Sequence, residues 1–430
     1  MKLHLDSKEM RKVSILLMTI SLAVVLTACK KDLFDQEVVK EALELTFHND
    51  VVDPKHTWTL MNDWSVTVTA NVPNVKRVEV LSANPYNPGK RSVEILALSD
   101  VTEDQKVKLY YSAPIINDSV YIAAINTSGD YRVVAIKKGK ETADFNILNT
   151  INTGTMTTPT KQEVYYCYCN SFPQPSATWS FHDLVYRISK EVISDKVLRL
   201  NVTLAALGNT QQMAGALRLD GVSYDDVENI SISNHNTFVK YEASSRTIIK
   251  EEDTKLRGQD GTAVINLFDD AHLAFYVRTN ENGYVTRYYI NVTHNTDVNH
   301  LEFSPVTVSY DITFKKTNVA QTITFGKLDP FILYYYNSNV WEVHKYAFKF
   351  KETLYSYYSG SPDKYDSGFT WALEVPYTWF RYPIQGVSMG SYKNGVIYGA
   401  YQQPYHSFGE WGANKDEATD WYLYPSSSVY

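Results

Sequence analysis

Two short stretches combine histidine with carboxylates at spacings that could serve a metal ion. Asp269, Asp270 and His272 lie within four residues, and Glu342 and His344 flank a single valine. Metal sites need three or more converging ligands, and nothing in the sequence shows that the two stretches converge. For Asp269 and Asp270 we favour a turn in which aspartate side chains bind backbone N–H groups. We therefore expect no metal or other cofactor at either stretch.

Several motifs that would identify an enzyme are missing from the sequence. It contains no G-x-x-x-x-G-K-[ST], G-x-G-x-x-G or H-E-x-x-H. We expect no catalytic residues and no enzyme activity. A surface hydrolase stays open as the less favoured alternative, because a carboxylate pair for glycoside hydrolysis can come from distant strands.

Cys29 is the residue whose context predicts a definite chemistry. The fourteen residues Val13–Leu26 carry no charge and follow Arg11-Lys12. This run is shorter than the roughly 20 residues that span a bilayer, but it has the length of a signal-peptide core. Leu26-Thr27-Ala28-Cys29 then matches a lipobox. The sequence predicts a signal peptide over residues 1–28 and a lipid on Cys29, which would anchor the protein to a membrane.

The residues around the signal peptide bear on location and on the start of translation. Lys30–Asp35 is charged and partly acidic, as in some lipoproteins displayed outside Gram-negative cells. We expect an outer-membrane protein that faces outward, although the sequence also leaves a periplasmic orientation open. An ordinary secretory signal with an incidental Cys29 is the alternative. Met10 directly precedes the basic flank, so Met1 and Met10 are both candidate starts.

Amino-acid composition limits the classes of binding partner that we expect. The chain of 430 residues has a net charge of −7, which argues against nucleic acid, because nucleic-acid binding needs clustered Lys and Arg. Cys167 and Cys169 point to the same face of a predicted strand with parallel Cβ directions. We expect two buried thiols and no disulfide. The 33 tyrosines favour strands and wet interfaces.

Alternation of apolar and polar residues predicts a first β-sandwich over residues 51–148. Trp64, Val66, Val68, Ala70 and Val72 share one face of a strand. This strand is one of about seven short strands in roughly a hundred residues. That pattern is typical of an immunoglobulin- or fibronectin-like sandwich. The other segments with strand patterns are Val78–Leu81, Val93–Leu98, Val107–Tyr111, Val120–Ile125 and Tyr131–Ile136.

A larger sandwich is predicted for residues 163–430. Leu198–Leu204 and Val306–Phe314 alternate, and Asn282-Gly283 and Asn394-Gly395 have hairpin-turn chemistry. Because no long apolar segment of period 3.6 follows residue 50, the fold class is all-β. The remaining segments are a lipidated N-terminus and linker at residues 29–50, and a threonine-rich linker at residues 149–162.

Aromatic clusters in the larger sandwich allow two interpretations. They could form an exposed platform for a glycan or a protein partner, or they could fill the core. Alternation turns half of each run inward, so we favour the core. The clusters are Phe331–Tyr336, Tyr355–Tyr358, Trp371, Trp379 and Trp411–Trp421.

In sequence order, several short motifs resemble the LruC domain of bacterial surface lipoproteins. The resemblance covers the C-terminal two-thirds, and Trp64–Ala70 and Val78–Pro85 are similar to the sandwich that precedes it in the family. It implies a β-sandwich fold and a surface location, but no reaction. The motifs are Phe181–Val185, Gly215–Val222, Ala263–His272, Glu342–His344, Trp371–Pro376, Phe380–Pro383, Phe408–Trp411 and Thr419–Tyr422.

The resemblance also implies a calcium-type acidic signature, from which this chain departs. Thr178 and Ser180 replace the first two acidic residues, His182 replaces an asparagine, and Asp183 alone is kept. Calcium takes several carboxylate and carbonyl oxygens, so calcium binding is doubtful here. We expect a lipid-anchored protein with a structural, adhesive or binding role and an unknown protein or glycan partner. A glycan-binding accessory lipoprotein is the alternative.

Overall fold

A computed structural model shows how these segments fold. It describes residues 52–53, 55–89, 92–145, 154–169, 180–233, 254–258, 260–275, 281, 286–336, 339–344, 371–376, 379–393 and 396–430. The predicted turns at Asn282-Gly283 and Asn394-Gly395 lie outside these residues, as does Tyr355–Tyr358.

Within the described ranges the chain forms many β-strands and two short α-helices, α1 (Ala271–Phe275) and α2 (Phe408–Ala413), which confirms the all-β fold class. The strands are β1 (Met61–Ala70), β2 (Val75–Leu81), β3 (Glu94–Asp100), β4 (Lys106–Pro114), β5 (Ser119–Asn126), β6 (Tyr131–Lys137), β7 (Thr142–Phe145), β8 (Thr160–Lys161), β9 (Glu163–Tyr168), β10 (Leu184–Val192), β11 (Val197–Ala206), β12 (Met213–Ser223), β13 (Val227–Ser233), β14 (Lys255–Arg257), β15 (Thr262–Phe268), β16 (Tyr289–Ile290), β17 (His300–Leu301), β18 (Val306–Phe314), β19 (Leu328–Tyr336), β20 (Asn339–His344), β21 (Ala372–Pro376), β22 (Ser391–Lys393), β23 (Val396–Tyr398), β24 (Gln402–Gln403) and β25 (His406–Ser407).

The first sandwich packs a sheet of order β4-β1-β7 against a sheet of order β6-β5-β2-β3-β8. Val66, Val68 and Ala70 of β1 are fully buried in the core between the sheets, and Trp64 packs at its margin. The face predicted from alternation is therefore confirmed. Successive strand residues point to opposite sides, so one apolar row is enough to fill one side of this core.

The second sandwich packs the sheet β13-β18-β11-β10-β9-β21 against the sheet β14-β15-β12-β19-β20. The two strands predicted at Leu198–Leu204 and Val306–Phe314 become β11 and β18, which pair antiparallel with Leu200 opposite Tyr310. One large cluster of buried residues from both sheets forms the core.

Two features of the chain path connect the sandwiches. Trp58 and Leu60, which precede β1, are buried in the core of the second sandwich. Later, β8 pairs in parallel with β3 of the first sandwich, and β9 of the second sandwich begins after the single residue Gln162. The chain thus crosses between the sandwiches at Gln162. The division at residues 149–162 remains a prediction about independent folding.

Candidate functional site

The first histidine cluster lies where β15 ends and α1 begins. The Asp270 carboxylate accepts a hydrogen bond from the backbone N–H of His272 at 3.1 Å, the aspartate turn that the sequence predicts. Arg287 donates to the same carboxylate through Nε at 2.8 Å and Nη2 at 2.6 Å. Burial would raise the pKa of Asp270, but the hydrogen bonds and charges of His272 and Arg287 outweigh it and lower that pKa.

His272 is itself fixed within this cluster. Its Nδ1 lies 3.2 Å from Asp270 Oδ1, and its Nε2 lies 2.9 Å from the carbonyl oxygen of Asn209. A backbone carbonyl only accepts, so Nε2 carries the proton that it donates. Both nitrogens are engaged with the protein, and the side chain is buried. The cluster ties α1 to neighbouring loops and is best explained as structural.

The second cluster joins β19 and β20. His344 Nδ1 lies 2.9 Å from Asp329 Oδ2, and its Nε2 lies 3.0 Å from Glu342 Oε2. Burial alone would lower the pKa of His344, but the charges and hydrogen bonds of Asp329 and Glu342 raise it to about 9. The imidazolium is therefore held between two buried carboxylates, and Phe331 stacks on its ring at 4.3 Å.

Neither cluster gathers the ligands of a metal. Among the residues that the structure describes, no group of three or more histidine, cysteine, aspartate or glutamate side chains could hold an ion. Asp183, the remnant of the calcium-type signature, is buried, and its backbone carbonyl accepts from Gly208 N–H at 3.1 Å. Thr178 of that signature lies outside the described residues. That this chain lacks the calcium site of the signature remains a prediction.

His182 of the same signature is buried against neighbouring residues and does not face solvent. Its Nε2 lies 3.1 Å from Gln385 Oε1, and burial lowers the pKa of His182 to about 4. A Cβ on Gly208 would come within 2.0 Å of the His182 ring, so this position requires glycine. The segment Phe181–Val185 therefore packs tightly where β10 begins.

Most of the described tryptophans fill the core, as we favoured from alternation. Trp371, Trp411 and Trp421 are buried in the second sandwich, and Trp411 meets Trp421 with ring centroids 5.7 Å apart. Trp379, by contrast, is 48% exposed and has a φ of 82°. The described aromatic clusters thus form no row of exposed rings, although one tryptophan faces solvent.

Cysteine placement agrees with the sequence where the structure describes it. Cys167 and Cys169 are both buried and are not bonded to one another. Burial raises the pKa of the Cys167 thiol well above its ordinary value. Cys29 and the predicted signal peptide lie outside the described residues. Within the described ranges, no helix is both long and apolar enough to cross a membrane.

A polar hub that sequence reasoning missed joins the two sandwiches. Asp63 on β1 accepts hydrogen bonds from the hydroxyl of Ser112 at 2.6 Å, the hydroxyl of Thr324 at 2.5 Å and the backbone N–H of Gly326 at 3.2 Å. The backbone N–H of Phe325 in turn donates to Ser112 Oγ at 2.9 Å. These bonds fix the loop after β18 against the first sandwich.

Beside this hub, a cleft of about 300 Å³ opens between the sandwiches. Arg77, Lys108 and residues 95–98 line it from the first sandwich, and Lys190 and Phe325 line it from the second. The cleft residues are far apart in sequence, so no local motif announces them. One signal was available: Lys190 follows Tyr186 and Ile188 on the core-facing register of β10, where a charged residue is unexpected.

The comparisons with known proteins identify a family. Residues 195–422 match the model of a family described as a domain of unknown function, DUF4842. That span is more than half of the chain. The chain belongs to the DUF4842 family. Its matched part begins just before β11 and contains both histidine clusters and Phe325, whereas Lys190 and the first sandwich lie outside it.

No curated protein matches the sequence. The crystal structure of a candidate lipoprotein from Bacteroides ovatus is similar over 83% of this chain and 99% of its own, with 14% sequence identity and a TM-score of 0.46. The all-β assignment rests on the strands and cores of the DUF4842 protein itself.

Proposed function

We propose that this chain is a lipid-anchored lipoprotein of the LruC type whose two sandwiches form a structural, adhesive or binding module outside the cytoplasm. The observation that carries this proposal is the lipobox Leu26–Cys29 at the end of a fourteen-residue apolar run. Two or more acyl chains on Cys29 would anchor it stably, since each buried CH₂ contributes about 0.8 kcal/mol. The charged stretch Lys30–Asp35 supports an outward-facing position on the outer membrane.

Binding rather than hydrolysis is the role that the described geometry supports. In the histidine clusters, the ring nitrogens are hydrogen-bonded to neighbouring protein groups. Of the described residues that line the cleft, Glu191 is the one that carries a carboxylate, and Lys161 pairs with it. Glycoside hydrolysis uses two carboxylates about 5–10 Å apart. We therefore propose that the protein has no such activity.

Replacement of Cys29 tests the anchor. Wild type should partition into the membrane fraction and incorporate an alkyne fatty acid. Cys29→Ser should lose the label and either leave the membrane or accumulate as precursor. Lys30→Ala, next to the lipobox, is the matched control and should keep both the label and the membrane association. A Cys29→Ser protein that is labelled and fractionates like wild type would contradict the proposal. A separate experiment, digestion of intact cells by added protease, tests the outward orientation.

Glycan binding is the second candidate function. The exposed-platform form of this idea has little support among the described tryptophans. The cleft between the sandwiches favours it instead, because small-molecule sites commonly lie at domain interfaces and start at about 300 Å³.

A further inference from the structure

The cleft carries a charge opposite to that of the protein. The whole chain has a net charge of −7, yet four cationic side chains line this one cavity together with a single described carboxylate. Arg77 pairs with Asp100 at 3.0 Å, and Lys161 pairs with Glu191. Lys108 and Lys190 have no carboxylate at ion-pair distance among the described residues. The cleft therefore keeps positive charge that the described protein does not neutralise.

Lys190 is the central cation. Its neighbours on the same face of β10, Tyr186 and Ile188, lie in the core, and Lys190 itself is partly buried. The ammonium lies 5.7 Å from the ring centroid of Phe325. Burial lowers the pKa of Lys190 to about 8, and the charge of Asp63 partly opposes this. A partly desolvated ammonium gains free energy when an anion replaces its lost water.

The rest of the wall is apolar. Ile95, Ala97 and Val192 line the cleft beside Tyr110. Aliphatic and aromatic surface of this type suits the C–H faces of a sugar ring, whereas a bare inorganic anion would leave it uncovered. We propose that the cleft binds a carboxylate-bearing sugar, a uronate unit of an acidic glycan, with its carboxylate on Lys190 and its ring against the apolar wall. The proposal deepens the glycan-binding alternative and is independent of the lipid anchor.

Titration calorimetry with the mature chain tests this proposal. The protein carries Cys29→Ser so that it is purified without lipid, and the probes are a uronate oligosaccharide, its neutral counterpart, inorganic phosphate and an oligoglutamate peptide. Uronate should bind and the neutral sugar should not. Lys190→Met should weaken uronate binding about tenfold, the effect of losing one charge-assisted hydrogen bond. Lys76→Met removes the same charge from an exposed site of β2 outside the cleft and should bind like wild type.

A gain-of-affinity variant separates binding from folding. Glu191→Gln removes the carboxylate that opposes the ligand and should strengthen uronate binding about threefold, a result that misfolding cannot produce. Equal binding by Lys190→Met and wild type would overturn the proposal, as would equal binding of the neutral sugar. Phosphate that binds as tightly as uronate would make this a free-anion site, and preferred binding of oligoglutamate would assign it to peptides. Either result rejects a glycan ligand without bearing on the role of Cys29.

Discussion

Asp63 of the first sandwich accepts a hydrogen bond from the Thr324 hydroxyl of the second, with 2.5 Å between Oδ2 and Oγ1. Thr324 and Ser112, which also donates to Asp63, are both buried, so neither hydroxyl has ready access to water. The contact therefore couples the sandwiches through two buried hydroxyl groups that both donate to the Asp63 carboxylate. The loop that Asp63 holds also carries Phe325, a wall of the cleft.

Replacing this acceptor should weaken the junction. We expect Asp63→Ala to lower the free energy of unfolding by about 1–3 kcal/mol, because buried donors are left unsatisfied. Urea titration of the mature chain measures the change. Asn62→Ala, at the exposed neighbouring position, is the control and should shift stability by about 0.5 kcal/mol or less. An equal effect of the two variants would contradict the role given to Asp63.

Sequence patterns were informative where one element decides the structure by itself. The alternation of Val66, Val68 and Ala70 correctly predicted a half-buried strand, and the aspartates before α1 correctly predicted a turn. Both are local, because strand period and side-chain capping act over a few residues. Sequence patterns gave no information where segments that are far apart in the chain come into contact. The polar hub combines Asp63 with Thr324, and no local rule relates residues 261 positions apart.

The cleft shows the same limit. Arg77, Lys161 and Lys190 lie on different strands of two sandwiches, and their proximity follows from sheet order rather than from spacing. Trp58 is another example. Its position before β1 suggested the first sandwich, but packing buries it in the second core. The lipobox differs from both, since a processing enzyme reads it as a linear segment.

The pair formed by His344 should make stability depend on alkaline pH. The pKa of His344 in the folded protein, about 9, is above the ordinary value of 6.5. The folded state therefore holds the proton more tightly, and this stabilisation is complete below about pH 6.5 and lost as the pH rises through 9. Thermal melts of wild type between pH 6 and 10 should show a corresponding decline in Tm.

Glu342→Gln isolates this contribution. The variant keeps the shape of the side chain but removes one of the two charges that raise the pKa of His344, so its decline in Tm should be smaller and end at a lower pH. Lys190 has the opposite effect, because its lowered pKa, about 8, increases stability as the pH rises above that value. Comparing the two proteins at each pH cancels the Lys190 contribution. Parallel curves for variant and wild type would reject the assignment.

Calcium should have little effect on stability. A ligand that binds only the folded state stabilises it by RT ln(1 + [L]/Kd), about 2.7 kcal/mol at a hundredfold excess over Kd. The signature around Asp183 keeps one carboxylate, too few for a typical calcium site. We expect millimolar calcium and excess chelator to give the same Tm. A rise of several degrees with calcium that Asp183→Asn abolishes would restore the site.

Trp58 should stabilise the second sandwich although it precedes the first. The ring is fully buried, stacks on His56 at 4.0 Å and meets Trp411 edge-on at 5.6 Å. We expect Trp58→Ala to lower the free energy of unfolding by about 3–5 kcal/mol, the range for large-to-small core substitutions of tryptophan. Trp379→Ala, at a half-exposed position, should cost far less. Equilibrium unfolding in guanidinium chloride compares them.

Limited proteolysis then tests the division of the chain. The stretch Asn149–Thr160 has few apolar residues, and its described part, 154–160, is largely exposed. It can bury little surface to offset about 1–2 kcal/mol of backbone entropy per ordered residue, so first cuts should fall there. A C-terminal fragment that begins near Thr160 should still melt cooperatively. Its Tm should lie below that of the intact chain, because Trp58 and Leu60 are lost from its core. First cuts inside a sandwich, or a fragment without a cooperative transition, would show that the two sandwiches fold as one unit.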